Sequence, residues 1–475
     1  MDRAFAKSVF FNVVYKIMNV LFPLITATYS ARVLLPEGIG RVSYAQTIAS
    51  YFALIAALGI PAYGVKVIAG LGNKKEDVDK NFSSLYCILI VSALICTLAY
   101  VCVVYCVPYF RNDWKLYAAT GLQIFLVAFN VDWFYQAKEM YAYIALRSFA
   151  VKICSLIAIF IFVHDADDYI IYALIASIAT AGNYLANVIQ LRKYTYFSIK
   201  GIDIESHIKP VLILFLSILA IELYSKVDIT MLGIFCNEEN VGYYSNAVKV
   251  INVILMGVTA ITSVFLPRLS QYYKSDRNRF EGMVNMGTQI LVAISLPCSI
   301  GLFLLADDVS IALFGQEFLA AGEVIRILSP LLLIKGVGDL LCYQVIISVG
   351  KEKYFLLTNG TAAILNILLN SMLIPSYAQA GAAVASVISE LVVNVGMIFV
   401  TQKVVKLRLD TKVYVPILVS SLLMGVSVGY VNHIGGALFQ RLVLSIVVGI
   451  FVYLVGNITT KNKLLIQIWT KCRTK

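Results

Sequence analysis

Residues 83–108, SSLYCILIVSALICTLAYVCVVYCVP, run without a single charge. At about 1.5 Å of rise per residue, a helix of that length exceeds the roughly 30 Å hydrocarbon core of a bilayer. The stretch is too long and too uniformly apolar for a barrel strand, which alternates over about 10 residues. Only a helix then satisfies its own backbone hydrogen bonds in oil. Thirteen further stretches read the same way: 8–33, 41–69, 116–136, 141–163, 169–191, 210–235, 241–267, 284–305, 323–349, 354–375, 379–402, 413–431 and 437–456. The sequence therefore predicts an all-α polytopic membrane protein with about 14 transmembrane helices.

Composition agrees. Mean hydropathy is +0.84, with 60% hydrophobic and 14% charged residues, where a soluble domain carries about 25% charged residues. The segments between the apolar stretches are too short for an appended globular domain. Arg3 and Lys7 precede an apolar run too long for a signal peptide's apolar region, so that run is expected to be an uncleaved first span. Seven of the nine cysteines lie in or beside apolar stretches, in spacings that fit neither a disulfide framework nor a zinc site.

The net charge of +11 is distributed with a side. The N-terminus, the even-numbered connections and the C-terminal tail hold 25 Lys and Arg, whereas the odd-numbered connections hold only Arg111 and Lys115. The odd connections are acidic instead, as in Asp165-Ala166-Asp167-Asp168, Glu238-Glu239 and Asp307-Asp308. The positive-inside rule then places both termini in the cytoplasm, which requires an even number of spans. It also accounts for the basic excess without a nucleic-acid partner. The longest basic connections, 192–209 and 268–283, suit interfacial segments against anionic membrane lipids, or plain solvated loops.

A weak repeat supports a doubled architecture. Glu37, Ile39, Gly40, Ser43 and Ala45 correspond to Glu239, Val241, Gly242, Ser245 and Ala247, an E-x-[IV]-G-x-x-S-x-A pattern at an offset of 202. Each copy joins an odd span to the next even one. Two six-span halves of the same orientation are related by an axis along the membrane normal.

Several stretches carry a family resemblance. They are Leu35-Pro36-Glu37-Gly38-Ile39-Gly40; Asp132-Trp133-Phe134-Tyr135-Gln136, followed by Arg147 and Lys152; and Asn370-Ser371-Met372-Leu373-Ile374-Pro375, leading into Ala380-Gly381-Ala382-Ala383-Val384-Ala385-Ser386. In these the chain resembles the polysaccharide-transporter branch, Wzx-type O-antigen or repeat-unit flippases, of the multidrug/oligosaccharidyl-lipid/polysaccharide exporter superfamily. The small residues of the third stretch also have a physical reading, since they let a span pack closely on a neighbour. The resemblance implies a MATE-like fold of two six-helix bundles, 1–205 and 206–408, with two extra helices and a basic tail over 409–475. It implies a cavity lined by spans 1, 2, 7 and 8, and a bacterial cytoplasmic (inner) membrane location. Its substrate would be an undecaprenyl-pyrophosphate-linked oligosaccharide. A polysaccharide polymerase and a chain-length regulator would be its protein partners, and no cofactor is implied.

Charges inside the spans are the candidate site residues. Each costs about 2.5–3.5 kcal/mol to insert, so such residues face a cavity or pair with one another. The cations are Lys16, Arg147, Lys152, Lys226, Lys249 and Lys335; the acids are Asp132, Glu222, Asp228, Asp339 and Glu390. Glu222 and Lys226 are four apart, as are Lys335 and Asp339, so each pair can neutralise itself on one helix face. Lys16 and Lys249 have no acid three or four residues away. By the resemblance they line the cavity, where Lys16, Lys226 and Lys249, with Lys152 and Arg147, would hold diphosphate and glycan. Charge-assisted hydrogen bonds suit that task. Glu222, Asp228, Asp339 and Glu390 are the candidates for ion coupling.

No G-x-x-x-x-G-K-[ST] loop occurs, so ATP hydrolysis in this chain is not expected. Asp165-Ala166-Asp167 spells the D-x-D of metal-dependent glycosyltransferases, but it sits in a short turn with no α/β domain beside it. A membrane-embedded polymerase would carry a long basic or His-bearing outer loop; here the longest, about 306–322, is acidic and lacks His. The expectation is a transporter, not an enzyme. The remaining rivals are a lipid II-type flippase, whose cavity would be equally cationic, and a MATE-type drug or metabolite exporter.

Overall fold

The computed structural model describes residues 3–72, 74–198, 201–262 and 265–466; within these, the side chains of residues 3–17, 19, 20, 217, 220, 221, 352, 353, 355 and 356 lie outside the description. Among the described residues there is no strand, and ten helices are long and apolar enough to cross a membrane. On the Lys75–Cys106 helix, Val91, Leu94, Ile95, Leu98 and Val101 are exposed, while Ser83, Ser84 and Ser92 are buried. That helix keeps an apolar stripe outward, as suits a solvent of hydrocarbon, and packs Phe82, Leu85 and Leu89 together with its serines inward.

Several expected spans are continuous or broken in ways that spacing alone did not show. The stretches 8–33 and 41–69 share one helical run, Arg3–Ala57, interrupted at Leu35 (φ 60°, ψ 175°). Pro36 accounts for the break, because proline removes an N–H and pushes the residue before it away from helical ψ. The run stops again at Leu58 and Gly59, both left-handed, before Ile60–Gly70. The stretches 354–375 and 379–402 share Glu352–Gln402, interrupted at Ala378 (φ 45°, ψ −126°). There the chain doubles back. A Cβ on Gly381 would strike the carbonyl of Leu373, eight residues earlier, which a straight helix would hold about 12 Å away. The stretch 116–136 is not one helix: Trp114–Leu126 passes through a 3₁₀ turn, Val127–Phe129, to a short helix, Asp132–Ala137.

By contacts the chain forms two compact units, Met1–Gly242 and Tyr243–Lys475. Within each, the connections sort by the parity that charge assigned them. In the first unit the even connections meet: Lys138 Nζ donates to the Gly72 carbonyl (3.2 Å), and Thr195 Oγ1 donates to Asp79 Oδ1 (2.5 Å). The odd ones meet as well, with Tyr109 donating to Glu238 (3.1 Å) and Tyr169 to Asp113 (3.3 Å). In the second unit, Asn285 Nδ2 donates to the Lys406 carbonyl (3.0 Å) and Lys463 pairs with Asp410 (2.8 Å), both even with even. Arg441 Nε donates to Asp308 Oδ2 (3.0 Å), odd with odd.

Candidate functional site

In the first unit a polar seam runs along the Glu205–Phe235 helix. Glu222, Lys226, Thr230 and Gly233 follow one another at helical spacing and so share a face. Lys226 Nζ pairs with Glu222 Oε2 (2.9 Å) and donates to Ser50 Oγ (3.0 Å). Thr230 and Tyr51 share a hydrogen bond (2.8 Å), and Gly233 leaves room for the Tyr44 ring. The expected Glu222–Lys226 pair is thus formed, and it is only half-buried. Asp228 is buried on the same helix. The seam ends where the two copies of the repeat cross. A Cβ on Gly40 would be driven into the Glu238 carbonyl, and one on Gly242 into that of Pro36. The shared glycine of the pattern is therefore the point where backbone meets backbone, which only small residues permit.

A second cluster lies deeper in the same unit. Arg147 Nη2 pairs with Asp132 Oδ1 (2.5 Å), to which Asn187 Nδ2 also donates (2.8 Å), and the Arg147 guanidinium lies 5.1 Å from the Tyr143 ring centre. Both charges are buried, and Nε and Nη1 of Arg147 have no partner among the described residues. Breaking such a pair strands a charge, at a typical cost of about 3–5 kcal/mol. The neighbouring Trp133, Phe134 and Tyr135 are fully buried, with Trp133 stacked on Phe82 (5.5 Å) and the Tyr135 hydroxyl on the Asn187 carbonyl (2.7 Å). The 132–136 stretch thus fixes the Arg147 side chain in place. Lys152 is buried with its ammonium 5.7 Å from the centre of the Phe22 ring.

The second unit holds the most developed intramembrane site. Asp339 opens a π-helical turn, Asp339–Gln344, and π turns inside α-helices frequently mark functional positions. Lys335 does not pair with Asp339, as its spacing predicted; it pairs with Glu390 (2.7 Å) on the Glu352–Gln402 helix. The order of charges explains the correction in part, since an acid N-terminal to a lysine is the better i,i+4 arrangement and Lys335–Asp339 is the reverse. Asp339 instead accepts from the Thr262 hydroxyl and from Gln344 Nε2 (3.5 Å). Asn394 donates to the Glu390 carbonyl (2.8 Å) and accepts from Cys342 (3.4 Å), while Gly338 leaves room for its amide. Lys335, Asp339, Asn359, Glu390 and Asn394 line one cavity of about 250 Å³. Lys335 with two carboxylates leaves one formal negative charge there.

Lys249 stands apart from that cavity. Its Nζ donates to Asn246 Oδ1 (2.9 Å), and no acid pairs with it among the described residues. Tyr244, on the same helix, shares a hydrogen bond with Ser386 (3.2 Å). Lys16 lies on the Arg3–Ala57 helix, but its side chain is outside the described residues. Thr262, Asn359 and Asn394 went unnoticed in the sequence. Of the three only Asn394, four residues after Glu390, stands at one-turn spacing from a charge.

The backbone is similar to that of the lipid II flippase MurJ in its inward closed conformation (TM-score 0.79, 15% identity, 95% of this chain and 99% of that one). It is also similar to a multidrug resistance MATE family transporter in an inward-facing conformation (0.66, 13%, 84% and 98%). At those identities the likeness shows the fold alone. The chain belongs to the polysaccharide biosynthesis protein family, whose profile matches residues 5–273. It is 24% identical over 405 residues to a protein named as an O-antigen transporter in Escherichia coli K12, covering 82% of this chain and 96% of that one. It is 28% identical over 239 residues to the low-salt glycan biosynthesis flippase Agl15 of Haloferax volcanii, and 25% identical over 266 residues to the teichuronic acid biosynthesis protein TuaB of Bacillus subtilis. The chain spans about half the length of these last two, 49% and 52%, and nearly all of the first.

Proposed function

We propose that the protein is a flippase that moves an undecaprenyl-pyrophosphate-linked oligosaccharide repeat unit from the cytoplasmic to the outer leaflet of a bacterial cytoplasmic membrane. The working architecture is fourteen spans with both termini cytoplasmic: bundles 1–205 and 206–408, with two further helices over 409–475, working by alternating access. Family membership and the names of the relatives support the class of cargo. The observation that carries the mechanism is Lys249, a lysine in an apolar helix whose partner is a neutral amide. A cation without a counter-ion is costly in oil, and a diphosphate passing beside it would relieve that cost. Lys226, already neutralised by Glu222, is a secondary contact, and Lys16 completes the set on the first span. The polar head follows this wet route while the lipid tail stays in the bilayer. Polymerase and chain-length regulator receive the product outside.

Coupling is assigned to the Lys335–Glu390–Asp339 cavity. Its single excess negative charge suits one proton or one monovalent cation, which gains about 2.3 kcal/mol per 100 mV of membrane potential. The test is deletion of the gene followed by extraction of the lipid-linked glycans. A lipid-linked polysaccharide repeat unit accumulates in the inner leaflet, and wild-type protein or Lys249→Arg clears it. Lys249→Ala leaves it in place although the protein remains in the membrane. Accumulation of lipid II instead would reassign the cargo, and full clearance by Lys249→Ala would remove the lysine from the mechanism.

A further inference from the structure

The odd-numbered connections of the first unit line a half-open cavity of about 270 Å³. It is lined by Arg41, Tyr109, Asn112, Asp113, Tyr169 and Glu238, contributed by four different odd-numbered connections or the helix ends beside them. Its polar groups are already held in place. Arg41 pairs with Glu37 (2.5 Å), and its guanidinium lies 5.4 Å from the centre of the Tyr169 ring. The Tyr169 hydroxyl donates to Asp113 Oδ1, and the Tyr109 hydroxyl donates to Glu238 Oε1. Each tyrosine takes one lone-pair site of its carboxylate, and a carboxylate offers about four. Acceptors therefore remain on Asp113 and Glu238, and donors on Arg41 and Asn112, around a space edged by aromatic rings. Burial raises the Tyr109 hydroxyl above its usual range, which keeps it a donor at every physiological pH.

We propose that this cavity is a carbohydrate site that takes one neutral or amino-substituted pyranose ring on the extracytoplasmic side. Fixed carboxylates and amides meet the ring's hydroxyls, and tyrosine faces meet its C–H surface. The volume admits a single ring rather than a chain, since it lies just under the about 300–1,000 Å³ of small-molecule pockets. Charge sets the preference: one arginine, itself engaged by Glu37, stands against two carboxylates, so a uronic acid is disfavoured. The site adjoins the crossing of the repeat, because Glu238 supplies both the carbonyl over Gly40 and the carboxylate bonded to Tyr109. A glycan emerging outside would be held there beside the point where the two copies of the repeat cross. That the ring comes from transported glycan, and that this end faces outward, rests on the flippase reading above.

Trp114, exposed on the same connection as Asp113, is the natural reporter. Full-length protein in nanodiscs is titrated with methyl β-D-glucopyranoside, glucosamine, N-acetylglucosamine and glucuronate while Trp emission is followed, with Trp114→Phe as the blank. A saturable change is expected for the first three sugars and an at least fivefold weaker one for glucuronate. Asp113→Asn and the rim variant Asn112→Ala should each weaken binding at least fivefold, with unchanged thermal midpoints. No response to any sugar, or a response indifferent to both variants, overturns the site; equal binding of glucuronate overturns its charge selection. Sugar binding by a protein whose deletion causes no lipid-linked glycan to accumulate would sink the flippase reading and spare this site. Export without sugar binding would do the reverse.

Discussion

Two lysines in the membrane were each offered an acid four residues away, and only one took it. Lys226 pairs with Glu222 on its own helix, whereas Lys335 ignores Asp339 and reaches across to Glu390. A local pair neutralises a charge without involving the rest of the fold. A cross-helix pair ties two helices together and, in this case, leaves a second carboxylate over. The first arrangement makes a lysine tolerable in oil. The second leaves one formal negative charge on the cavity these residues line, and the coupling proposal rests on that charge.

Removing the acid from each pair should therefore have unequal consequences. Glu390→Ala leaves Lys335 and Asp339 to find each other across the unfavourable order. The loss should be about 1–3 kcal/mol, between the limits for exposed and buried pairs, because the lysine is partly exposed and the acid nearly buried. A thermal midpoint in detergent measures it, and no shift would mean that the cross-helix pair does not hold these helices. Glu222→Ala should cost only about 0.2–0.5 kcal/mol, since the pair is half-exposed and Lys226 keeps its bond to Ser50. A cost equal to that of Glu390→Ala would erase the distinction.

The smallest effect belongs to a pair outside the membrane, Lys463–Asp410. The hydrogen bond from Lys463 holds the Asp410 carboxyl below its usual range. Its folded value lies below its unfolded one, so this contribution is complete above about pH 4 and fades as the pH falls through the lowered value. Lys463→Ala should leave the midpoint at neutral pH nearly unchanged and flatten its dependence only below about pH 4. A large loss at pH 7 would show that this surface pair matters as much as those within the membrane.

What the sequence made legible follows from this difference between local and distant partners. Apolar length located the helical stretches, and charge parity anticipated which connections meet, as Tyr109 with Glu238 and Arg441 with Asp308. The repeat was legible as a pattern, but nothing in its spacing said that Gly40 and Gly242 would lie against each other. The breaks at Leu35 and Ala378 are single distorted residues within helical runs rather than loops, because Pro36 and Pro375 are visible in the sequence but the strained φ is not. Glu390 and Lys335 are 55 positions apart, and Asp132 and Arg147 are 15 apart on different helices. No periodicity reaches across such separations. The cavity around Asp113 and Glu238 draws on four connections and was invisible for the same reason.

Proteoliposomes holding a fluorescent undecaprenyl-pyrophosphate-linked disaccharide in the inner leaflet offer the decisive comparison. Wild-type protein and Lys249→Arg should expose the label to an external quencher at least tenfold faster than Lys249→Ala, with all three proteins equally folded and inserted. Equal rates for wild type and Lys249→Ala would mean that Lys249 does not carry the diphosphate.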